Sequence, residues 1–331
     1  MIARHENSPS RVFIMAAMLA FAAALIGSCS LSSQSVSTPA NRYALVIGVQ
    51  DYPDYNGDNS NDLSYPDDDA DDMATLLSAQ GWTVKKRLIS SSDASIDKDG
   101  SPTYSNIKEA IADLSTESDA TILVYYSGHG NSEDNTAYII PYDGLTTSGT
   151  GYDIAKWITP ATLSSWMEAV PAKNRVLILD SCYSGGFIAS ANAVDTTPAD
   201  YSQAQGTTAE TGLLLAALSD FNGLLAANLT SLGERDMVAL SASGSEEVSW
   251  DDGTSGHGAF TNYLLKAAES GDADGDGYVT VAEAYAYAKA NIKKNWNPEY
   301  KYYYGSTRNE WDFLPHISGG TGDIALYAPG S

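Results

Sequence analysis

Cysteine and basic side chains are the scarce residues of this chain. Only two cysteines, Cys29 and Cys182, stand among its 331 residues. One pair at most can form, which excludes a small scaffold stapled by several disulfides. Lysine and arginine number 18 against 42 aspartates and glutamates, a formal net charge of −24. Phosphate backbones need a basic face, so this balance argues against a nucleic-acid partner. It suits solubility and the attraction of basic ligands. The one long apolar run, VFIMAAMLAFAAALIG at 12–27, falls short of the roughly 20 residues of a bilayer-spanning helix. Internal repeats are absent. Segment 189–236 has no lysine and a single arginine, Arg235. It reads as an insertion, with a loop over 190–210 and a Leu/Ala-rich helical stretch after it. Hydrophobic residues make up 43% of the chain, ample for the core of one large or two small domains.

Arg4 and Arg11 precede the apolar run, and small residues, Gly27 and Ser28, follow it before Cys29. A charged start, an apolar middle and a small-residue end make an export signal, expected over residues 1–28. Ile26-Gly27-Ser28-Cys29 resembles the lipobox of bacterial lipoproteins. That resemblance implies cleavage before Cys29 and lipid on its thiol, and so an exported, membrane-anchored protein of the bacterial cell envelope. Residues 29–41 are mostly serine and other small or polar residues, with only Leu31 and Val36 as larger apolar side chains after the cysteine, and read as a flexible tether. Cys182 is then left without a partner. A lone thiol is either a small buried hydrophobe or a reactive group.

Runs rich in Val, Ile and Tyr recur at 43–49, 82–89, 120–127, 137–140, 175–180 and 237–242. Helical spacing fills most gaps between them. Ala70, Met73, Ala74 and Leu77 are three and four apart, and similar segments lie at 104–115, 160–170, 211–228, 257–270 and 280–294. Strands alternating with helices predict an α/β fold, a mostly parallel central sheet with helices on both faces. Sites in such sheets form beyond the carboxyl ends of strands. Two such ends stand out, YYSGHG at 125–130 and LDSCYSGG at 179–186.

His129 sits between Gly128 and Gly130 at one end, and Cys182 at the other, 53 residues later. Neighbouring parallel strands would bring both to one rim. A thiol becomes a useful nucleophile when a base or cation helps it ionise. A histidine can take that proton and return it to a leaving amine. Adjacent glycines let backbone N–H groups approach a developing oxyanion.

SGHG followed by DSCYSGG resembles the caspase-like cysteine peptidases, the group of caspases, metacaspases and bacterial relatives. YALVIGVQDY is similar to the family's first strand, LSYPDDDADDMATLL to its LxYxxNDAxxMxxLL segment, and AYIIPYDG to the strand and turn after the histidine. SASGSEEVSWDDGTSGHGAFTNYLLKA resembles the small-subunit region. The likeness covers about residues 42–270, and the peptidase domain is expected over 42–315 with a tail at 316–331. The resemblance implies Cys182 as nucleophile, His129 as general base and acid, and the N–H groups of Gly130 and Cys182 as the oxyanion hole. Tyr183 stands where many metacaspases carry histidine.

The same resemblance bears on which residue is cut after. Caspases bind a substrate aspartate through arginines, one of them directly after a Ser-Trp pair; here Asp251 follows Ser249-Trp250. Metacaspases use acids at the positions of Asp69 and Asp180, with a serine at that of Ser127. A carboxylate pair selects Arg or Lys at P1, and Arg by a bidentate fork. Residues 51–72 hold nine aspartates, so choosing Asp69 rests on the resemblance alone; the plain alternatives are a solvated acidic run for Asp69 and a structural cap for Asp180. Arg42 is the one feature reminiscent of an Asp-specific pocket. With basic specificity, Arg235 is the only basic residue at which the insertion could be self-cleaved.

Residues 272–283, DADGDGYVTVAE, fit the D-x-D-x-D-G-x5-E calcium loop. Asp272, Asp274, Asp276, Thr280 and Glu283 would supply side-chain oxygens and Tyr278 its carbonyl. Helical segments flank the loop, as an EF-hand-like site requires. The aromatic-rich stretch 295–315 is expected to pack into the core beside a final strand. The leading expectation is a lipid-anchored cysteine endopeptidase acting on peptide or protein substrates after Arg or Lys. The alternatives are an Asp-specific peptidase and a catalytically silent, calcium-holding module that binds peptides.

Overall fold

Apolar runs with β-branched residues need partners on both edges and cover on both faces, and the chain meets both needs in one twisted sheet. In a computed structural model the described residues are 41–53, 61–133, 136–147, 151–182, 236–243, 249–298, 303–304, 307–308, 313–320 and 322–328. The expected signal peptide, Cys29 and the tether up to residue 40 lie outside them. So do Tyr183, the glycines after it, and the insertion from 189 to Arg235.

The chain runs β1 (Arg42–Val49), α1 (Pro66–Ala79), β2 (Thr83–Ser90), α2 (Tyr104–Ala112) and β3 (Thr121–Ser127). A hairpin, β4 (Gly130–Glu133) and β5 (Thr136–Ile139), leads to α3 (Pro160–Ala169) and β6 (Asn174–Asp180). β7 (Asp236–Ser241), the short pair β8 (Asp251–Asp252) and β9 (His257–Gly258), and α4 (Ala259–Ser270) follow. The chain ends through β10 (Val279–Thr280), α5 (Val281–Asn291), β11 (Tyr303–Tyr304), β12 (Thr307–Arg308), β13 (His316–Ser318) and β14 (Ala325–Tyr327). The main sheet has the order β13-β7-β6-β3-β1-β2. Its five longer strands are parallel, and β13 is antiparallel at the edge.

Alternation along each strand assigns its side chains to two cores. Ala44, Val46, Leu123, Tyr125, Val176 and Ile178 face α1, α4 and α5. Leu45, Ile47, Ile122, Val124, Tyr126, Leu177 and Leu179 face α2 and α3. The runs therefore read as continuously apolar because both faces are covered, as expected for a parallel sheet. In α1 the buried Ala70, Met73, Ala74 and Leu77 are the four residues whose spacing predicts that helix. Pro66 occupies its first turn, and Asp67, Asp68 and Asp69 lie there too, where the helix dipole favours negative charge.

The expected boundary at 315 stops short of the fold. His316–Ser318 is an edge strand of the main sheet, and Ala325–Tyr327 pairs with β10. Residues 316–331 are too short and mixed to show a strand signal alone, and their pairing partners lie far back in sequence. Trp296 and Phe313 are buried, in accord with core packing of the aromatic stretch. Among the described residues, no helix is long and apolar enough to cross a membrane.

Arg175, at the start of β6, is fully buried. Its guanidinium donates to the carbonyls of Met167 (2.8 Å), Ala172 (3.1 Å) and Val170 (2.6 Å). These lie in and just after the last turn of α3, where carbonyls lack helical partners and the dipole favours a cation. The contact ties α3 to the strand that carries Cys182. Arg175→Leu removes three buried hydrogen bonds, of whose acceptors the Met167 carbonyl keeps the Val170 N–H, and is expected to destabilise the protein by about 3 kcal/mol, measured as a lower urea midpoint with unchanged slope.

Candidate active site

Strands β3 and β6 pair in register, with Thr121 opposite Asn174 and Ser127 opposite Asp180. His129 lies two residues past Ser127, and Cys182 two residues past Asp180. Both therefore leave the sheet at the same height and the same rim. The Gly128 N–H still bonds the Asp180 carbonyl at 3.2 Å. Beyond that point the two turns touch through their backbones. A Cβ on Gly130 would meet the Cys182 carbonyl oxygen at 1.9 Å, so only glycine permits this approach.

A pair of buried tyrosines holds the His129 backbone. Its N–H donates to the Tyr52 hydroxyl at 2.9 Å, and its carbonyl accepts from the Tyr126 hydroxyl at 2.8 Å. Both hydroxyls also reach the Ile140 carbonyl, at 3.0 and 2.9 Å. The imidazole packs against the Tyr52 ring, centroids 4.8 Å apart. Its Nε2–H donates to the Asn61 carbonyl at 2.8 Å. That bond settles the proton on Nε2 and leaves Nδ1 as the basic nitrogen. Burial lowers the histidine pKa, against the opposing pull of the Asn61 carbonyl and Asp62.

Cys182 is a free thiol. Burial pushes its pKa up to about 11, aided by the negative charge of Asp180 and Asp251 and opposed by the Ser249 N–H. A neutral thiol and a neutral imidazole at one rim differ from the activated thiolate that the motif suggests, because desolvation, reinforced by the charge of Asp180 and Asp251, opposes ionisation of the thiol.

On the other face of the same rim, α1, β3, β6 and the β9–α4 turn converge on two carboxylates. Asp69 and Asp180 are both buried, which corrects the reading of Asp69 as one of a solvated run. Asp69 accepts from Ser127 Oγ (2.9 Å), His257 Nδ1 (3.0 Å) and the Gly258 N–H (3.1 Å). Asp180 accepts from Ser249 Oγ, and from Thr261 N–H (3.1 Å) and Oγ1 (2.8 Å). Tyr125 closes the set through Thr261 Oγ1 at 2.6 Å. A Cβ on Gly258 would strike Asp180 Oδ2 at 2.4 Å and approach Asp69 Oδ2 at 3.1 Å. Burial pushes Asp69 up to about 7, against the His257 bond. Asp180 is raised by burial, against the Ser249 and Thr261 bonds. Asp251 is pushed up to about 6, by desolvation and then by the charge of Asp180.

Asp69, Ser127 and Asp180, placed in one pocket by resemblance, thus meet in space, with Asp251 electrostatically coupled to Asp180. Arg42 does not join them. It starts β1, opposite Thr121 at the amino end of β3, and its guanidinium lies over the Trp82 ring and donates to the Gln80 carbonyl. Tyr52, Asn61, Tyr126, Ser249, His257 and Thr261 are absent from the sequence-based site. The stretch at 241–267 that resembles the small-subunit region, with its Ser249-Trp250 pair, is the cue that pointed near Ser249, His257 and Thr261.

The loop 272–283 lies apart in the chain, between α4 and α5. Oxygens of Asp272, Asp274 and Asp276 fall within 4.8 Å of one another. Asp272 accepts from the N–H groups of Gly275 (2.8 Å) and Gly277 (3.0 Å). Glu283 caps α5 with Thr280 and returns to the loop's start through the Ala273 N–H at 3.0 Å. An all-oxygen donor set of this kind fits a hard divalent cation such as calcium.

The family described as "Caspase domain" (Peptidase_C14) matches residues 41–306. Two solved structures share the fold. Caspase-1 from Spodoptera frugiperda is 11% identical with a TM-score of 0.54, over 89% of this chain and 93% of the insect chain. Protein GSU0716 from Geobacter sulfurreducens is 15% identical with a TM-score of 0.50, over 87% of this chain and 99% of its own. A search of curated proteins finds no match.

Because the Cys182 thiol is held neutral, its alkylation by iodoacetamide at pH 7 is expected to run roughly 100-fold slower than that of free cysteine. The rate should climb about tenfold per pH unit from 7 to 9, where free cysteine levels off. A plateau already reached by pH 7 in stopped-time mass spectrometry would show a preformed thiolate instead.

Proposed function

The chain belongs to the caspase-domain family of cysteine peptidases, and on that premise we propose that it is an endopeptidase that cuts after Arg or Lys, with Cys182 as nucleophile and His129 as its base. One observation carries the reading: the in-register pairing of Ser127 with Asp180, which sets Cys182 and His129 each two residues beyond the paired strand ends, with Asp180 at one end and, at the other, the Ser127 that bonds Asp69. In the reaction, Cys182 Sγ attacks the scissile carbonyl as His129 Nδ1 takes the thiol proton. The carbonyl oxygen turns toward the N–H groups of Gly130 and Cys182. His129 then protonates the leaving amine, and water drawn through the same nitrogen hydrolyses the thioester. Proton removal is concerted with attack, because neither group is charged beforehand.

Basic specificity is supported by charge. Asp69, Asp180 and Asp251 each hold a proton more tightly than an ordinary carboxyl, and a guanidinium or ammonium entering among them relieves their repulsion. An aspartate side chain would add to it. Peptides ending in Arg, Lys, citrulline and Asp test this directly. Arg and Lys turnover is expected, with at least a 100-fold preference over the uncharged citrulline. It should vanish in Cys182→Ala and fall more than 10-fold in Asp180→Asn. Turnover after Asp would keep the peptidase and reject the pocket. Binding of basic peptides without turnover would favour the silent module.

The loop at 272–283 is proposed to hold calcium through Asp272, Asp274, Asp276, Thr280, Glu283 and the Tyr278 carbonyl, fastening α5 and the β10–β14 pair. Calcium at about 100 times its Kd adds some 2.7 kcal/mol to stability, a Tm rise of roughly 4–5 °C for a domain of this size. Asp272→Ala should abolish that rise, and scanning calorimetry with calcium and with chelator reads it. Export and lipidation at Cys29 complete the proposal, placing the enzyme on a bacterial envelope membrane with the tether as its reach.

A further inference from the structure

His257 lies beside the acid pair with both ring nitrogens facing carboxylates. Nδ1 lies 3.0 Å from Asp69 Oδ1 and Nε2 lies 3.3 Å from Asp72 Oδ2. Where Asp69 and Asp72 are both ionised, two acceptors face the ring and favour its doubly protonated, imidazolium form. Among the described residues, no lysine or arginine forms an ion pair with Asp69, Asp180 or Asp251. The side chains grade outward from the buried Asp69 through His257, 14% exposed, to Asp72, 58% exposed. The proton on His257 therefore has a path to water.

We propose that His257 is a specificity-determining residue of this pocket: its proton is the resident counter-charge of Asp69, and a cationic P1 side chain displaces it. This rests on the reading that the pocket receives Arg or Lys. The charges facing the imidazole are Asp68, Asp69 and Asp72 from α1, Asp180 from β6, and Asp252 beside it in the β8–β9 pair. All are acidic, and the Asp252 carboxylate is turned to Asn262 and the Thr254 N–H. The hydrogen bond to Asp69 raises the histidine's proton affinity above its ordinary value. Two cations cannot share the site cheaply, so P1 entry expels one proton, passed from Nε2 toward Asp72 and water. Arginine binding must then strengthen as pH rises through the His257 titration and weaken below it. A neutral P1 side chain should show no such dependence.

The test uses the full chain carrying Cys182→Ala, so that peptides bind without being cut. Ring-nitrogen NMR follows the four histidines, with His257 assigned from the signal lost in His257→Asn. A saturating peptide ending in Arg is expected to lower the His257 midpoint by at least one pH unit, and the citrulline peptide to leave it in place. By reciprocity, affinity for the Arg peptide gains roughly tenfold over the same span. Asp72→Asn, a surface change remote from the pocket floor, should lower the midpoint in the free protein. It should carry the Arg-binding curve to lower pH by the same amount and leave citrulline binding unmoved. An Arg peptide that binds more tightly than citrulline yet leaves the His257 midpoint untouched would overturn the inference and keep the pocket. Equal binding of the two peptides would remove the pocket reading, and the inference with it.

Discussion

The in-register parallel pairing of β3 with β6 is the constraint on which the candidate site depends. Seven residue pairs, from Thr121–Asn174 to Ser127–Asp180, hold the two strands level. A slip of one residue would turn Tyr125 and Tyr126 to the wrong faces and move the apolar set with them. Because both faces are buried, no such slip is tolerated. The level pairing lets a histidine and a cysteine 53 residues apart leave the sheet side by side, without any contact between them having to specify it.

Alternation along β3 also divides the labour of the rim. Tyr126 points to the α2–α3 face and pins the His129 backbone. Tyr125, its neighbour, points to the α1–α4 face and braces the acid pair through Thr261. One dipeptide thus supports the proposed base on one side of the sheet and the proposed P1 pocket on the other. The same carboxylates that would attract a basic side chain raise the proton affinity of Cys182. Substrate charge and nucleophile are coupled: a guanidinium on Asp180 removes part of the repulsion that keeps the thiol protonated.

Buried acids need compensation, and this site supplies it locally. Asp180 takes its bonds from Ser249 and Thr261, both outside the core strands, and Asp69 takes its own from Ser127, Gly258 and His257. The close pass of Gly258 against Asp180 places the start of α4 over both acids. Residues from four separate stretches of chain must be in place before either carboxylate is stable in its ionised form.

The sequence alone determined the α/β class, the parallel strands, and the two rim motifs, because each is written in short-range patterns: continuous apolar runs, a period of three to four, glycines flanking His129 and following Cys182 at 185 and 186. The loop at 272–283 was legible for the same reason, its ligand spacing being local. Resemblance, not pattern, singled out Asp69 among the nine aspartates of 51–72; Asp67 is buried as well, and the bonds from Ser127, His257 and Gly258 set Asp69 apart. Only the tertiary structure decided that Arg42 lies at the far end of β1, that residues 316–327 complete the sheets, and that the thiol is neutral. It alone brought Tyr52, Asn61 and His257 to the site. Those facts depend on pairings across tens to hundreds of residues and on the desolvation they cause. Proton affinity follows a group's surroundings, and a linear sequence does not state which groups surround which.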